Sequence, residues 1–416
     1  MKKIHTKLMV NSSSLVGLIA VAFIFLYFNS AAARPEYAAR EKSNCIQCHV
    51  SPWGAGHRRV AGKVYGSREL EEGTHSDTDR YYADFRALYF KDTKKPNRLR
   101  KNGLGFMTGQ VSAFVPVLEK ESGYNTSVLG SYDFGAFQAG PRETYALWEY
   151  NDEKWFMPSS ILLGRFYLPF GLLSDEHRTY TRMQTSTSLR DYEMGGVLSF
   201  DPLDFIHFDF GYMEGFGTLK GVSKLSSGET YGLIANLRVN PDGLPVMLGA
   251  SWLYHNTNVD GEADPYAWSF YGVISLDQLI HEKFKASLLT EVVTARYLND
   301  TSVNAKYMNQ IIPSSALSTY GASVKDKTSR GLLAEFKWEL TPQWMLLYKF
   351  DHLILDDQFT SDAFMRHGFG FRYQFNANTL LTVKYEEHNI TVPSFENVSA
   401  NTVDQSDIIA ILRLWL

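Results

Sequence analysis

A period of two runs through this chain from about Tyr81 to its end, and few folds accommodate that. Leu332, Ala334, Phe336, Trp338 and Leu340 alternate with Leu333, Glu335, Lys337 and Glu339. Phe369, Phe371, Tyr373 and Phe375 alternate with Gly368, Gly370, Arg372 and Gln374. Ile206, Phe208, Phe210 and Tyr212 alternate with His207, Asp209 and Gly211, and Leu381, Val383 and Tyr385 with Thr382, Lys384 and Glu386. Successive side chains on a strand point to opposite faces, so each segment has one apolar and one polar face. Roughly ten residues of such alternation, repeated many times, is the pattern of a transmembrane β-barrel. Lipid supplies no water to an open sheet edge, so such a sheet must close on itself.

Sixteen segments carry the pattern: 81–90, 104–117, 127–139, 142–151, 160–170, 191–200, 203–215, 228–239, 245–257, 265–277, 283–297, 330–340, 343–356, 364–375, 378–390 and 405–416. Their connections alternate in length. Asp201-Pro202, Asn240-Pro241-Asp242-Gly243, Thr341-Pro342 and Asn376-Ala377 fall on one side. The long polar stretches 171–190, 216–227, 298–329 and 392–404 fall on the other. Short periplasmic turns and long outer loops are expected of outer-membrane barrels. The predicted fold class is therefore all-β, a transmembrane antiparallel barrel of about 16 strands, with 14 or 18 as the neighbouring counts. A soluble sandwich or propeller is the competing reading. Sandwich strands bury their apolar face against a second sheet, and no fixed repeat supports a propeller.

Composition narrows the function classes. The chain has 416 residues, 44% of them hydrophobic, and a net charge of −4. It is too apolar for a disordered tail, and its slight acidity gives no footprint for nucleic acid. Two cysteines cannot build a disulfide framework.

The N-terminus reads as a secretory signal over residues 1–33. Lys2, Lys3 and Lys7 precede the apolar run Leu15–Phe28, and Ala31-Ala32-Ala33 offers small residues for cleavage. The alternative, a membrane anchor, needs about 20 apolar residues.

Both cysteines lie in Cys45-Ile46-Gln47-Cys48-His49. Two thiols at this spacing can add across the two vinyl groups of haem, and the following His then faces the iron. C-x-x-C-H reads as a site for one covalent haem c, with His49 as proximal ligand. A redox dithiol wants a βαβ domain around it, and a structural zinc wants four ligands. Candidates for the distal iron position are His57, His75 and a Met from the barrel. Arg58 and Arg59 are candidates to pair with the haem carboxylates, because guanidinium matches carboxylate bidentately. The domain reading is thus signal 1–33, haem-binding segment 34–80 and barrel 81–416.

The segment Cys45 to Arg58 resembles the C-x-x-C-H-x-x-P-x-G-G-G-x-R start of bacterial outer-membrane proteins that carry one c-type haem before a porin-like barrel. Ala55 stands where that pattern has Gly, and His57 where it usually has an apolar residue. A second stretch, Gly164-Arg165-Phe166-Tyr167-Leu168-Pro169-Phe170-Gly171-Leu172, is similar to the G-x-F-x-x-P-F-G-L segment of phosphate-selective and related 16-strand porins. That resemblance implies that the next loop folds into the lumen, carrying His177, Arg178, Arg182 and Arg190. These could form a basic constriction attracting anions, or stand as ordinary solvated charges. Predicted lumen residues are Arg165, Arg366, Arg372, Lys337 and Lys384, with Glu335, Asp351 and Glu386.

Three functions compete. The first is electron transfer at the outer membrane, with periplasmic or outer-membrane cytochromes as partners. The second is a passive solute or anion porin whose haem segment is a plug or redox sensor. The third is a haem enzyme acting on peroxide or a small ligand, which needs an open iron position. No nucleophile, base and orienting group can be assembled from the sequence, so no enzyme is expected. The expected location is the bacterial outer membrane, in contact with its lipid, with the haem segment on the periplasmic side. A homotrimer follows by analogy with 16-strand porins.

Overall fold

A computed structural model describes residues 35–41, 43–54, 56–65, 79–93, 103–121, 123–135, 139–150, 157–174, 179–185, 187, 191–214, 231–241, 243–256, 264–281, 283–296, 328–354, 363–376, 378–392 and 401–415. The signal reading of residues 1–33 and the candidate ligand His75 lie outside them.

All sixteen expected strands form. They are β1 (Tyr81–Asp92), β2 (Gly103–Leu118), β3 (Tyr124–Asp133), β4 (Gly140–Tyr150), β5 (Ser160–Tyr167), β6 (Tyr192–Leu203), β7 (Ile206–Met213) and β8 (Tyr231–Val239). The second half is β9 (Val246–Asn256), β10 (Tyr266–Ser275), β11 (Ala286–Arg296), β12 (Thr328–Glu339), β13 (Trp344–Ile354), β14 (Ala363–Asn376), β15 (Thr379–Val392) and β16 (Asn401–Trp415). Each pairs antiparallel with its neighbours in sequence, and β1 closes on β16 from Asp84↔Trp415 to Asp92↔Asp407. Closure removes the unpaired edge that lipid forbids. Among the described residues no helix is long and apolar enough to cross a membrane.

Two boundaries differ from the sequence reading. The expected turn at Asp201-Pro202 lies inside β6, and the hairpin turns at Asp204-Phe205. A register shift between Phe200 and Leu203 absorbs Pro202, which has no N–H to give the ladder. The expected outer loop 392–404 is shorter, because β15 and β16 pair out to Val392↔Asn401. Thr391, Val392, Thr402 and Val403 are β-branched and extend the ladder without the apolar alternation that marked the other strands.

The outer face is apolar. Phe270, Phe369, Leu248 and Val292 are 61%, 56%, 51% and 48% exposed, too much apolar surface for a water-facing wall. Aromatic rings band both ends. Tyr212, Tyr231, Tyr254, Trp252 and Trp268 touch one another at the long-loop end. Phe284 and Trp338, and Trp344 with Phe371 and Tyr373, do so at the short-turn end. Such girdles sit at the two interfaces of a membrane-spanning barrel.

The inner face is filled by the chain's own residues. Helix α1 (Pro35–Glu41), with Pro at its first position where the missing N–H costs nothing, packs on β9, β10 and β11. Ala38 and Ala39 join Met247, Tyr271, Val273 and Leu289 in a buried cluster. Glu36 meets Lys337 of β12 at 3.2 Å, and Arg40 meets Asp277 at 3.0 Å at the short-turn end. Helix α2 (Val60–Tyr65) lies against the start of β1, where Lys63 Nζ donates to the Tyr81 carbonyl at 2.9 Å. From the other end the loop after β5 folds inward. Its helix α3 (Tyr180–Thr185) packs on β11, β12 and β13, and Leu172 joins the α1 cluster. The two insertions therefore meet inside the barrel.

Candidate functional site

The C-x-x-C-H residues sit inside the barrel, in a 3₁₀ turn at Cys45–Gln47. The His49 N–H donates to the Cys45 carbonyl at 2.9 Å, so one turn brings both thiols and the imidazole together. The chain then doubles back: His49 bridges to Arg58, and Val50 N–H donates to the His57 carbonyl at 3.0 Å. Glycines allow this tight return. Gly54 has φ +93°, and a Cβ there would lie 3.4 Å from Cys45 Sγ. Gly56 has φ +61°, and a Cβ would come within 2.5 Å of Glu143 and 2.6 Å of the Tyr167 hydroxyl. The left-handed φ favours glycine at both positions, and at Gly56 the lack of room does so as well.

A cavity of ≈ 390 Å³ lies between this segment and the wall, bordered by Cys45, Cys48 and His49. Met107 and Met247 border it, both inward and buried, so the barrel offers two thioethers there. Two thiols, an imidazole and nearby thioethers are a donor set that suits covalent haem.

The wall grips the motif through residues that sequence reasoning missed. Arg238 of β8 donates to Cys45 Sγ and, at 2.9 Å, to the Pro52 carbonyl. It faces Asp209, whose Oδ1 accepts from His207 at 2.8 Å; the other ring nitrogen of His207 meets Asp201, also at 2.8 Å. Asn44 reaches the same Asp201 at 3.1 Å. Alternation alone marks Arg238, His207 and Asp209 as inward; nothing local marks their partners.

The candidate residues separate. Arg58 is 2% exposed, borders the cavity, and lies 5.7 Å from the Tyr82 ring and 5.5 Å from that of Trp415. Arg59 instead donates to the His49 carbonyl at 3.0 Å and pairs with Glu149 of β4. The sequence reading treated the two alike; their side chains diverge because adjacent residues on the returning strand face opposite ways.

His57 is 1% exposed, with both ring nitrogens engaged. Nδ1 lies 2.9 Å from Ser112 Oγ and Nε2 faces the Asp79 carbonyl. A carbonyl only accepts, so Nε2 carries the proton and Nδ1 accepts from Ser112. Burial holds its pKa down to about 3, with Lys63 and Arg59 adding to the lowering. An unfolded histidine titrates near 6.5. The unfolded segment therefore takes up a proton between pH 6.5 and 3 while the docked one does not. Stability from His57 is complete above 6.5 and falls with pH by roughly 1.4 kcal/mol per unit. Limited proteolysis of residues 34–80 should accelerate from pH 7 to 5, and His57→Asn should flatten that slope. A pH-independent wild type would refute the prediction.

The inward loop also departs from expectation. Arg182 is 4% exposed, donates to the carbonyls of Phe170 and Leu172, and meets Glu291 at 3.3 Å. It ties the loop to β11 and offers no basic surface to the lumen; His177, Arg178 and Arg190 lie outside the described residues. Of the predicted lumen residues, Arg366, Arg372, Lys337, Glu335, Asp351 and Glu386 are buried inside the barrel, and Lys384 is half-buried on the same wall. Arg165 follows Gly164, whose φ of +141° breaks the alternation, and lies 5.3 Å from the Tyr192 ring.

No family model and no curated protein matches the chain. Solved structures do. The anion-selective porin from Comamonas acidovorans aligns at TM-score 0.55 and 10% identity, over 81% of this chain and 98% of that one. The outer membrane channel DcaP of Acinetobacter baumannii aligns at 0.54 and 8%, over 81% and 96%. Salmonella typhi OmpF, in complex with daunomycin, aligns at 0.54 and 12%, over 81% and 97%. The sixteen-strand closed barrel described above thus shares the fold of these porins.

Proposed function

We propose that this chain is an outer-membrane electron-transfer protein, in which Cys45 and Cys48 hold one haem c covalently and His49 binds its iron within a porin-like barrel. The observation that carries this reading is that both thiols of the C-x-x-C-H turn, half-buried, and the buried His49 imidazole border one cavity between the inner segment and the barrel wall. The haem, when bound, supplies a one-electron couple. The protein's part is to hold it. Arg238 fixes the Cys45 and Pro52 ends of the motif, and Arg58 borders the same cavity, where it would face a haem carboxylate. Met107 and Met247, which border the cavity, and His75 would be the candidates to supply the haem a second protein ligand, since the His57 ring is engaged elsewhere.

In this reading residues 1–33 are removed on export, residues 34–80 enter the barrel from the periplasmic end, and residues 81–416 span the outer membrane, as a trimer by analogy with porins. One haem does not bridge a hydrocarbon layer of about 30 Å. Periplasmic or outer-membrane cytochromes complete the route. A second reading, a passive porin with residues 34–80 as plug or redox sensor, draws on the likeness to solved porins, one of them anion-selective.

Ferric and ferrous visible spectra of the purified protein, with and without carbon monoxide, test both. Electron transfer predicts a low-spin haem insensitive to carbon monoxide, and complete loss of covalent haem in Cys45→Ser/Cys48→Ser. A high-spin, carbon monoxide-binding haem would favour a sensor or a peroxide enzyme. A chain produced alongside the haem-attachment machinery yet without any haem band would refute the reading and leave the passive porin.

A further inference from the structure

Resting on the electron-transfer reading, we infer that Arg238 of β8 does more than hold the motif: it sets the reduction potential of the haem. It places a fixed positive charge on the Cys45 side of the macrocycle and so favours the ferrous state. The guanidinium donates to Cys45 Sγ and to the Pro52 carbonyl, the latter at 2.9 Å, and it borders the cavity. Cys45 Sγ is the atom that would join the macrocycle, so the charge stands at the edge of the group it acts on.

Behind Cys45, two carboxylates and two cations form a buried set. Asp209 faces Arg238 at 3.8 Å and accepts from His207 at 2.8 Å. It also accepts from Ser199 Oγ at 2.8 Å and from the Asn236 amide at 2.9 Å. That amide is oriented from its other end, where Asn236 Oδ1 accepts from Ser251 at 2.9 Å and from Tyr271 at 2.8 Å. Asp201 takes the other ring nitrogen of His207 at 2.8 Å, with Ser159 Oγ at 2.6 Å and Asn44 at 3.1 Å. Ionised carboxylates only accept, so both nitrogens of His207 donate and the ring is cationic. Two negative and two positive charges then balance, which is how Arg238, Asp209 and His207 can be buried together. Their order decides which charge acts on the cavity. Arg238 lies on the sulfur, Asp209 lies behind it and is shared with His207, and Asp201 lies further back. Coulomb energy falls with distance, so the Arg238 charge dominates there. Net charge near the cofactor is one of the protein's levers on its potential, and a nearby cation favours the form with one positive charge less.

Spectroelectrochemical titration of the full-length holoprotein and its variants tests this, once the visible bands show covalent haem in each. Arg238→Gln keeps amide donors for Cys45 and Pro52 but removes the charge. It should move the one-electron equilibrium toward the ferric state by about tenfold, a fall of about 59 mV. Arg238→Lys loses the planar fork, keeps the charge, and should stay close to the wild-type potential. Asp209→Asn removes the opposing charge and should raise the potential; a merely structural role gives no such reversal of sign. Potentials that do not move, or that move the same way in Arg238→Gln and Asp209→Asn, overturn the inference. Where Arg238→Gln yields no folded holoprotein, Asp209→Asn decides, and an unchanged or lowered potential overturns it. A wild-type chain without haem bands removes the electron-transfer reading and this inference with it. Haem bands with unmoved potentials remove this inference alone.

Discussion

Removing residues 34–78 from the exported chain should turn a nearly closed barrel into a conducting one. A sixteen-strand barrel encloses an aqueous channel when nothing fills it. Here α1, the C-x-x-C-H turn and α2 fill it from one end, and the loop bearing α3 meets α1 through Leu172. The contacts are of the kind that hold: an apolar cluster, the buried Glu36–Lys337 pair, and Arg238 on Cys45 and Pro52. Single-channel conductance in planar bilayers should rise severalfold or more, and liposomes should swell in small solutes that the full chain excludes. A point variant gives the same direction without truncation. Glu36→Lys sets like charge against Lys337 in a site where neither can reach water, and should raise open probability. Equal conductance in full-length, truncated and Glu36→Lys proteins would show that the inner segment leaves a through path.

The barrel was legible in the sequence because each strand carries its own two-residue period, readable without its partners. The same locality makes the C-x-x-C-H spacing of Cys45, Cys48 and His49 visible as a candidate site. What escaped is what depends on distant contacts. Arg59 and Arg58 are neighbours in sequence, yet one is drawn to Glu149 and the other faces the cavity. Arg238 reads only as inward, since its role depends on Cys45 arriving from 193 residues away. His57 was a candidate ligand by nearness to His49, but Ser112 on the facing strand takes one ring nitrogen. Arg182 of the inward loop fits neither alternative for the same reason: a charge is exposed or neutralised according to its partner, and the partner of Arg182 lies on β11. Pro202 shows a smaller failure, a turn signal that a bulge absorbed into β6.

That partner, Glu291, is the residue whose loss should most disturb the lumen loop. Its Oε1 accepts from the Leu172 N–H at 3.0 Å and from Ser269 Oγ at 2.8 Å, and meets Arg182; its Oε2 accepts from Thr181 Oγ1 at 3.0 Å. Gly171 is locked beside it, with φ +61° and no room for a Cβ within 1.9 Å of that carboxylate. Glu291→Ala would leave Arg182 as a buried cation with carbonyls but no counter-charge, a loss of about 3–5 kcal/mol. The loop has an easier outcome than global unfolding, which is to leave the wall and hydrate Arg182. Amide exchange at Gly171 and Leu172 should then speed up roughly a hundredfold or more. Exchange in β11 itself should change little. Glu291→Gln keeps acceptor capacity without the charge and should fall between. Adding Arg182→Met to Glu291→Ala removes the stranded cation, and should recover part of the protection. Were the double variant no more protected than Glu291→Ala, the loop would be held by the apolar contact of Leu172 with α1 and not by this ion pair.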